Sequence, residues 1–173
     1  MINLTTPLRK EDIANLEIGD IVSLSGYIFC GRDIVLPKIV KSYNQDKLAE
    51  MGIDLDGSLI FHTAVSEAGI GPTSSNKVEI ENSIVPLSKA GVRIHLGKGK
   101  ISDETISELR EHNSIFAVVP PTTALLMSHV EEVKVAAFEE FGMEAFYRLK
   151  VNGLRMIVAA AKGKSIYGED DEK

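Results

Sequence analysis

The stretch Ala64-Val65-Ser66-Glu67-Ala68-Gly69-Ile70-Gly71-Pro72-Thr73-Ser74-Ser75-Asn76-Lys77 decides how the chain is read. Before it, Leu59-Ile60-Phe61 is an apolar run with the character of a buried strand. After it, apolar residues recur at helical spacing through Val78-Glu79-Ile80-Glu81-Asn82-Ser83-Ile84-Val85-Pro86-Leu87. The expectation is strand, loop, helix. Gly69 and Gly71 let the backbone take positive φ and approach a ligand closely. Thr73, Ser74 and Ser75 can each cap the helix, whose first N–H groups point outward as anion donors. Lys77 then falls in the first helical turn. Two readings follow from these residues: an ordinary connection, or a pocket for a small anion.

The rest of the chain limits what such a pocket could serve. Its 173 residues suit one domain spanning 1–173, with an acidic, frayed tail at about 168–173. Hydrophobic residues make up 44% and charged residues 25%, the balance of a soluble globular protein. No apolar run is long enough to span a bilayer, and the N-terminus lacks a basic region followed by an apolar one, so a cytoplasmic location is expected. The net charge of −6 argues against a general nucleic-acid surface. Cys30 is the one cysteine and cannot hold an iron–sulfur cluster by itself, so any cluster must come from a partner chain. His62, His95, His112 and His129 show no metal-ligand spacing along the sequence.

Taken in order, Glu11–Leu16 suggests one helical turn and Ile21–Phe29 a strand. After Cys30-Gly31-Arg32-Asp33, a helical pattern runs to about Met51, with Asp33 as cap, Pro37 in the first turn and Gly52 as stop. Arg32, between strand end and helix start, suits an ion pair with Asp33 or another acid, or a bidentate clamp on a carboxylate. A helix from Ser75 to Lys89 ends at Gly91. Val92–Leu96 alternates as a strand with Arg93 and His95 on one face, and Gly97-Lys98-Gly99-Lys100 turns sharply and presents its ammonium groups. Ser102 caps the next helix and Ile115–Val119 is a strand. Pro120–Leu126 turns into another helix, with Thr122 and Thr123 read as caps rather than as a second substrate motif. Val133–Phe138 is strand-like, and a final hairpin is expected around Asn152-Gly153. Strands alternating with helices imply α/β layers and a partly parallel sheet. Ligands in such sheets bind beyond the strand carboxyl ends, where Arg32, Thr73–Lys77 and Lys98 could converge.

Three of these stretches carry a family resemblance covering nearly the whole chain. Gly71-Pro72-Thr73-Ser74-Ser75-Asn76-Lys77 resembles the Gly-Pro-Thr-Thr-Ser/Ala-x-Arg motif of class I iron–sulfur fumarate hydratases and L(+)-tartrate dehydratase β subunits. Gly31-Arg32-Asp33 is similar to that family's Gly-Arg-Asp motif, and Gly97-Lys98-Gly99 to its Gly/Ala-Lys-Gly motif. Here Ser74 replaces the second Thr, Lys77 the Arg, and Leu36 the His that usually follows Arg-Asp. Phe141–Phe146 resembles a further family stretch, read as structural.

The resemblance implies a swivelling β/β/α fold and a β subunit working with an α subunit in a heterotetramer. The α subunit would hold a [4Fe–4S] cluster, with none bound by this chain alone. The activity implied is that of a lyase interconverting fumarate and malate, as in the tricarboxylic acid cycle. Tartrate dehydration is the alternative, and a non-catalytic anion-binding module the reading from another class. The resemblance assigns Thr73 as the base at carbon and Arg32, Lys77, Lys98, Gly71 and Ser74 to dicarboxylate binding.

Overall fold

A computed structural model describes residues 1–66, 69–71, 77–119 and 127–167, with the backbone alone for residues 66, 69–71 and 77–80. The elements run β1 (Ile2–Thr5), α1 (Lys10–Ala14), β2 (Ile21–Cys30), α2 (Leu36–Asn44), β3 (Leu59–Phe61), β4 (Ala64–Ser66), β5 (Gly69–Gly71), α3 (Lys77–Lys89), β6 (Ile94–Gly97), α4 (Asp103–Glu111), β7 (Ile115–Val118), β8 (Val130–Ala137), a 3-10 helix (Glu139–Glu144), β9 (Phe146–Ala161) and β10 (Lys164–Ser165).

The main sheet is mixed, in the order β1-β2-β3-β6-β7-β9-β10. From β1 to β7 every pairing is parallel, as expected of strands joined through helices. The long β9 is antiparallel to β7 and also to β2, so the path of pairings returns to β2 and closes. β8 lies along the first part of β9.

The largest apolar cluster includes Leu24, Ile28, Leu59, Phe61, Ile94, Leu96, Leu149 and Leu154. A second cluster joins Val35, Leu36 and Ile39 of the α2 region to Ile60, Leu87 and Phe146, and a third joins α4 to β7 and β9. Each fully buried large apolar side chain contributes about 1.5–3 kcal/mol by leaving water.

Several expectations hold. Ser102 caps α4, its Oγ accepting from the Thr105 N–H at 3.2 Å. Pro37 sits in the first turn of α2, where its missing N–H costs nothing. Four expectations are corrected. Asp33 does not cap α2: Val35 holds that position, with no side-chain hydrogen bond to the cap. α2 ends at Asn44 rather than Met51, because Asp46 takes φ 56° and breaks the helical path. The segment after β3 is not a plain loop: Ala64–Ser66 pairs antiparallel with Gly69–Gly71 as a small separate hairpin. Finally, Asn152-Gly153 makes no hairpin turn. β9 continues through it, with Gly153 at φ 67° forming an irregularity opposite Ser25. There Ser25 Oγ accepts the Gly153 N–H at 3.0 Å and the His129 carbonyl accepts the Asn152 N–H at 2.8 Å. The left-handed conformation that suits a hairpin turn serves here as a bulge.

Candidate active site

The carboxyl ends of β2, β3 and β6 lie side by side, with Cys30 opposite Phe61 and Phe61 opposite Leu96. The turns that follow are therefore neighbours. Strands pair about 4.8 Å apart, which sets the Gly31-Arg32 and Gly97-Lys98 turns roughly 10 Å apart across β3. Two of the predicted cations, Arg32 and Lys98, thus share one edge.

The Arg32 turn is held closely. The Gly31 N–H donates to the Phe61 carbonyl at 3.0 Å, and the Arg32 carbonyl accepts from Val35 and Leu36 at 3.1 and 3.0 Å. A Cβ on Gly31 would stand 2.9 Å from both Leu36 Cδ2 and Val35 Cγ1, so any other residue would push these two buried side chains aside. The Arg32 side chain is partly exposed, and its Nη1 lies 3.5 Å from Glu144 Oε1, at the end of the 3-10 helix. Among the described residues, the acid paired with Arg32 is Glu144 rather than Asp33. Glu144 was missed because Phe141–Phe146 read as structural, and nothing local ties it to a residue 112 positions earlier. One buried oxygen of Asp33 has no hydrogen-bond partner among the described residues. Asp33 lines a cavity of about 430 Å³ with Pro37, Asn82 and Ser83, between α2 and α3. Leu36, where the resemblance expects His, is buried in the cluster beneath α2 and offers no polar group to the edge.

Lys98 is exposed just past the end of β6. Gly71 ends β5, and Lys77 begins α3, with only its backbone described. Thr73, Ser74 and Ser75 lie outside the described residues, as do Thr122, Thr123 and the acidic tail.

Between the two cation turns the structure brings together residues whose sequence spacing gave no hint of it. His62 follows β3, and its N–H donates to the Leu96 carbonyl at 2.9 Å. Its Nε2 is 3.0 Å from His95 Nδ1, and His95 Nε2 is 2.8 Å from Ser88 Oγ on α3. His62 is 3% exposed, His95 0% and Ser88 2%, so the chain runs through dry interior. Burial pushes the His62 imidazole down to about 4, and burial with His62 alongside holds His95 well below its usual range. Both rings are neutral at pH 7. The signals in the sequence were a histidine directly after the apolar run Leu59–Phe61 and another inside the alternating strand Val92–Leu96.

Cys30, the one cysteine of the chain, does not fit the part of an iron–sulfur ligand. Cys30 is fully buried, and burial pushes its thiol far up, away from the thiolate a cluster needs. Among the described residues, no group of three His, Cys, Asp or Glu could hold a metal ion, and no helix is long and apolar enough to cross a membrane.

The family model "Fumarase C-terminus" matches residues 1–170. The chain belongs to the fumarase C-terminus family. Among its relatives are a putative class I fumarate hydratase of Geobacillus stearothermophilus, 30% identical over the whole of this chain and 34% of that protein. Another is a putative L(+)-tartrate dehydratase subunit beta of Methanocaldococcus jannaschii, 30% identical over 96% of this chain and 91% of that one. The L(+)-tartrate dehydratase subunit beta of Escherichia coli is 26% identical over 96% of this chain and 87% of its own length. This fumarase C-terminus chain therefore spans about a third of the first relative and most of the other two.

Proposed function

We propose that this chain is the β subunit of a two-subunit, [4Fe–4S]-dependent hydro-lyase that interconverts fumarate and (S)-malate. The observation that carries the reading is the match of residues 1–170 to the fumarase C-terminus, together with near-complete coverage of relatives named as β subunits. The cluster is assigned to an α subunit because the chain has one cysteine and it is buried, and a heterotetramer is what the family resemblance implies.

The reaction adds OH to one alkene carbon and H to the next. A catalyst must hold two carboxylates and move a proton at a weakly acidic carbon. Arg32 and Lys98, on neighbouring turns, suit the first task. Lys77, Gly71 and Ser74 join them by their place in the motif. A charge-assisted contact contributes about 1.5–3 kcal/mol. For Arg32, a substrate carboxylate would compete with Glu144 at 3.5 Å, a partly exposed pair of small net value. The second task falls to Thr73. A threonine is a weak base, and helix-start N–H groups with Lys77 and Lys98 would stabilise its alkoxide.

Tartrate dehydration is the second reading, favoured by the names of the Methanocaldococcus jannaschii and Escherichia coli relatives. Co-expression with a cysteine-rich candidate α subunit, followed by assays on malate, fumarate and L(+)-tartrate, decides between them. The isolated chain is expected to be folded, colourless and inactive, and the complex coloured and active. Dehydration of malate by the chain alone, or stoichiometric iron bound to it, would overturn the two-subunit reading.

A further inference from the structure

The chain Ser88–His95–His62 has a direction. Each neutral imidazole carries one proton, so two arrangements are open. In one, the Ser88 hydroxyl donates to His95 Nε2, His95 Nδ1–H donates to His62 Nε2, and His62 keeps its proton on Nδ1. In the other, every bond reverses, His62 Nδ1 is bare, and the Ser88 hydroxyl proton needs another acceptor. Among the described residues Ser88 Oγ has no polar contact besides His95. The reversed arrangement therefore leaves two buried groups unmatched, and the first leaves one. The first is favoured, since a buried polar group without a partner is costly.

What remains is His62 Nδ1, buried and without a hydrogen-bond partner among the described residues. Its position is specific. The preceding residue, Phe61, accepts the Gly31 N–H, and His62 itself donates to Leu96, so the His62 backbone lies at the strand end between the Arg32 and Lys98 turns, while Nε2 of its ring is anchored on His95. A rigidly anchored ring with one uncommitted N–H, on a residue whose backbone sits between two cation-bearing turns, has the chemistry of a binding group for an anionic oxygen. Being neutral, it adds direction without adding charge.

We propose that His62 is a further binding residue of the acid site, offering its Nδ1–H to a carboxylate or hydroxyl oxygen of the bound hydroxy-acid while His95 and Ser88 fix the donor tautomer. The proposal rests on the hydro-lyase reading for the identity of the ligand.

Two measurements test it. The first compares His62→Phe, which removes both nitrogens, with His62→Asn, whose amide N–H stands where Nδ1–H stood, in the assembled complex. His62→Phe is expected to lower kcat/KM by about 10–100-fold, mostly through KM, and His62→Asn to recover most of that loss. A role in packing alone predicts the opposite ranking, since Phe fills the space better. The second follows the imidazole ¹⁵N signals of His62 in the wild-type protein as malate or L(+)-tartrate is added, so it does not depend on variants folding. A protonated Nδ1 whose signal moves with the acid supports the proposal. A bare Nδ1, no shift at saturating acid, or an assembled His62→Phe complex with unchanged KM and kcat overturns it. If the wild-type complex turns over none of the three acids, the hydro-lyase reading falls, and the ¹⁵N shift alone still decides whether His62 binds an acid.

Discussion

Two kinds of polar group lie at the carboxyl edge of the sheet or run inward from it, His62 at the end of β3, His95 within β6 and Ser88 on α3, and they differ in how they relate to water. Arg32 and Lys98 are charged and sit on turns, one held by Glu144 and the other exposed. His62, His95 and Ser88 are uncharged and buried, linked by hydrogen bonds of 3.0 and 2.8 Å. Charge at an edge keeps access to solvent and to an incoming anion. A buried chain avoids the cost of burying charge only by remaining neutral and hydrogen-bonded. The cations can attract an acid, and the His62 N–H can orient one.

The largest effect that would sharpen this contrast falls on the motif-borne side. Thr73→Val keeps shape and removes the hydroxyl, and kcat of the complex is expected to drop about 10²–10⁴-fold, the size of an acid–base contribution. Assembly with the α subunit and the cluster's absorbance should be unchanged. Near-normal turnover would reduce Thr73 to a helix cap.

The next effect belongs to the buried chain and is one of stability. His62 is lowered to about 4 in the folded protein against about 6.5 when unfolded. The unfolded chain therefore binds the extra proton first, and stability present above pH 6.5 is lost as pH falls toward 4. His62 alone accounts for roughly 3 kcal/mol of that loss, and His95 adds to it. Denaturant midpoints between pH 7 and pH 4 measure it. In a His62→Asn/His95→Asn protein the slope over this window should flatten, and an equally steep slope would place the acid sensitivity elsewhere.

The smallest effect tests how firmly Arg32 is held. Glu144→Gln removes a partly exposed acid 3.5 Å from the guanidinium. Its stability cost should stay below about 1 kcal/mol. In the complex, KM for the acid should fall slightly, because Arg32 loses a competitor. A rise in KM would mean that Glu144 orients Arg32 rather than competes for it.

The same contrast explains what could be read from the residues. Strands β2, β3, β6 and β7 and helix α4 were legible because each is a short apolar run or a capped, amphipathic one between turn residues. The turns that carry Arg32 and Lys98 were legible because glycines beside a cation mark a turn. The His62–His95 pair was not, since its partners are 33 positions apart and meet only when β3 and β6 align. Asn152-Gly153 misled for a local reason: positive φ serves a bulge as well as a turn, and Ser25 and His129, far away in sequence, decide which. Glu144 and the β4–β5 hairpin escaped for the same cause, a contact or pairing that the sequence does not mark.

The claim that matters most is that the acid binds at the edge shared by the Arg32 and Lys98 turns. The most direct measurement is kcat/KM of the complex carrying Arg32→Ala and Lys98→Ala together, against each single variant and the wild type. Each single change is expected to cost about 10–100-fold, and the pair close to the product of the two, as for two contacts to separate carboxylates. A doubly substituted complex that assembles normally and keeps wild-type kcat/KM would contradict the account and move the acid to another face of the protein.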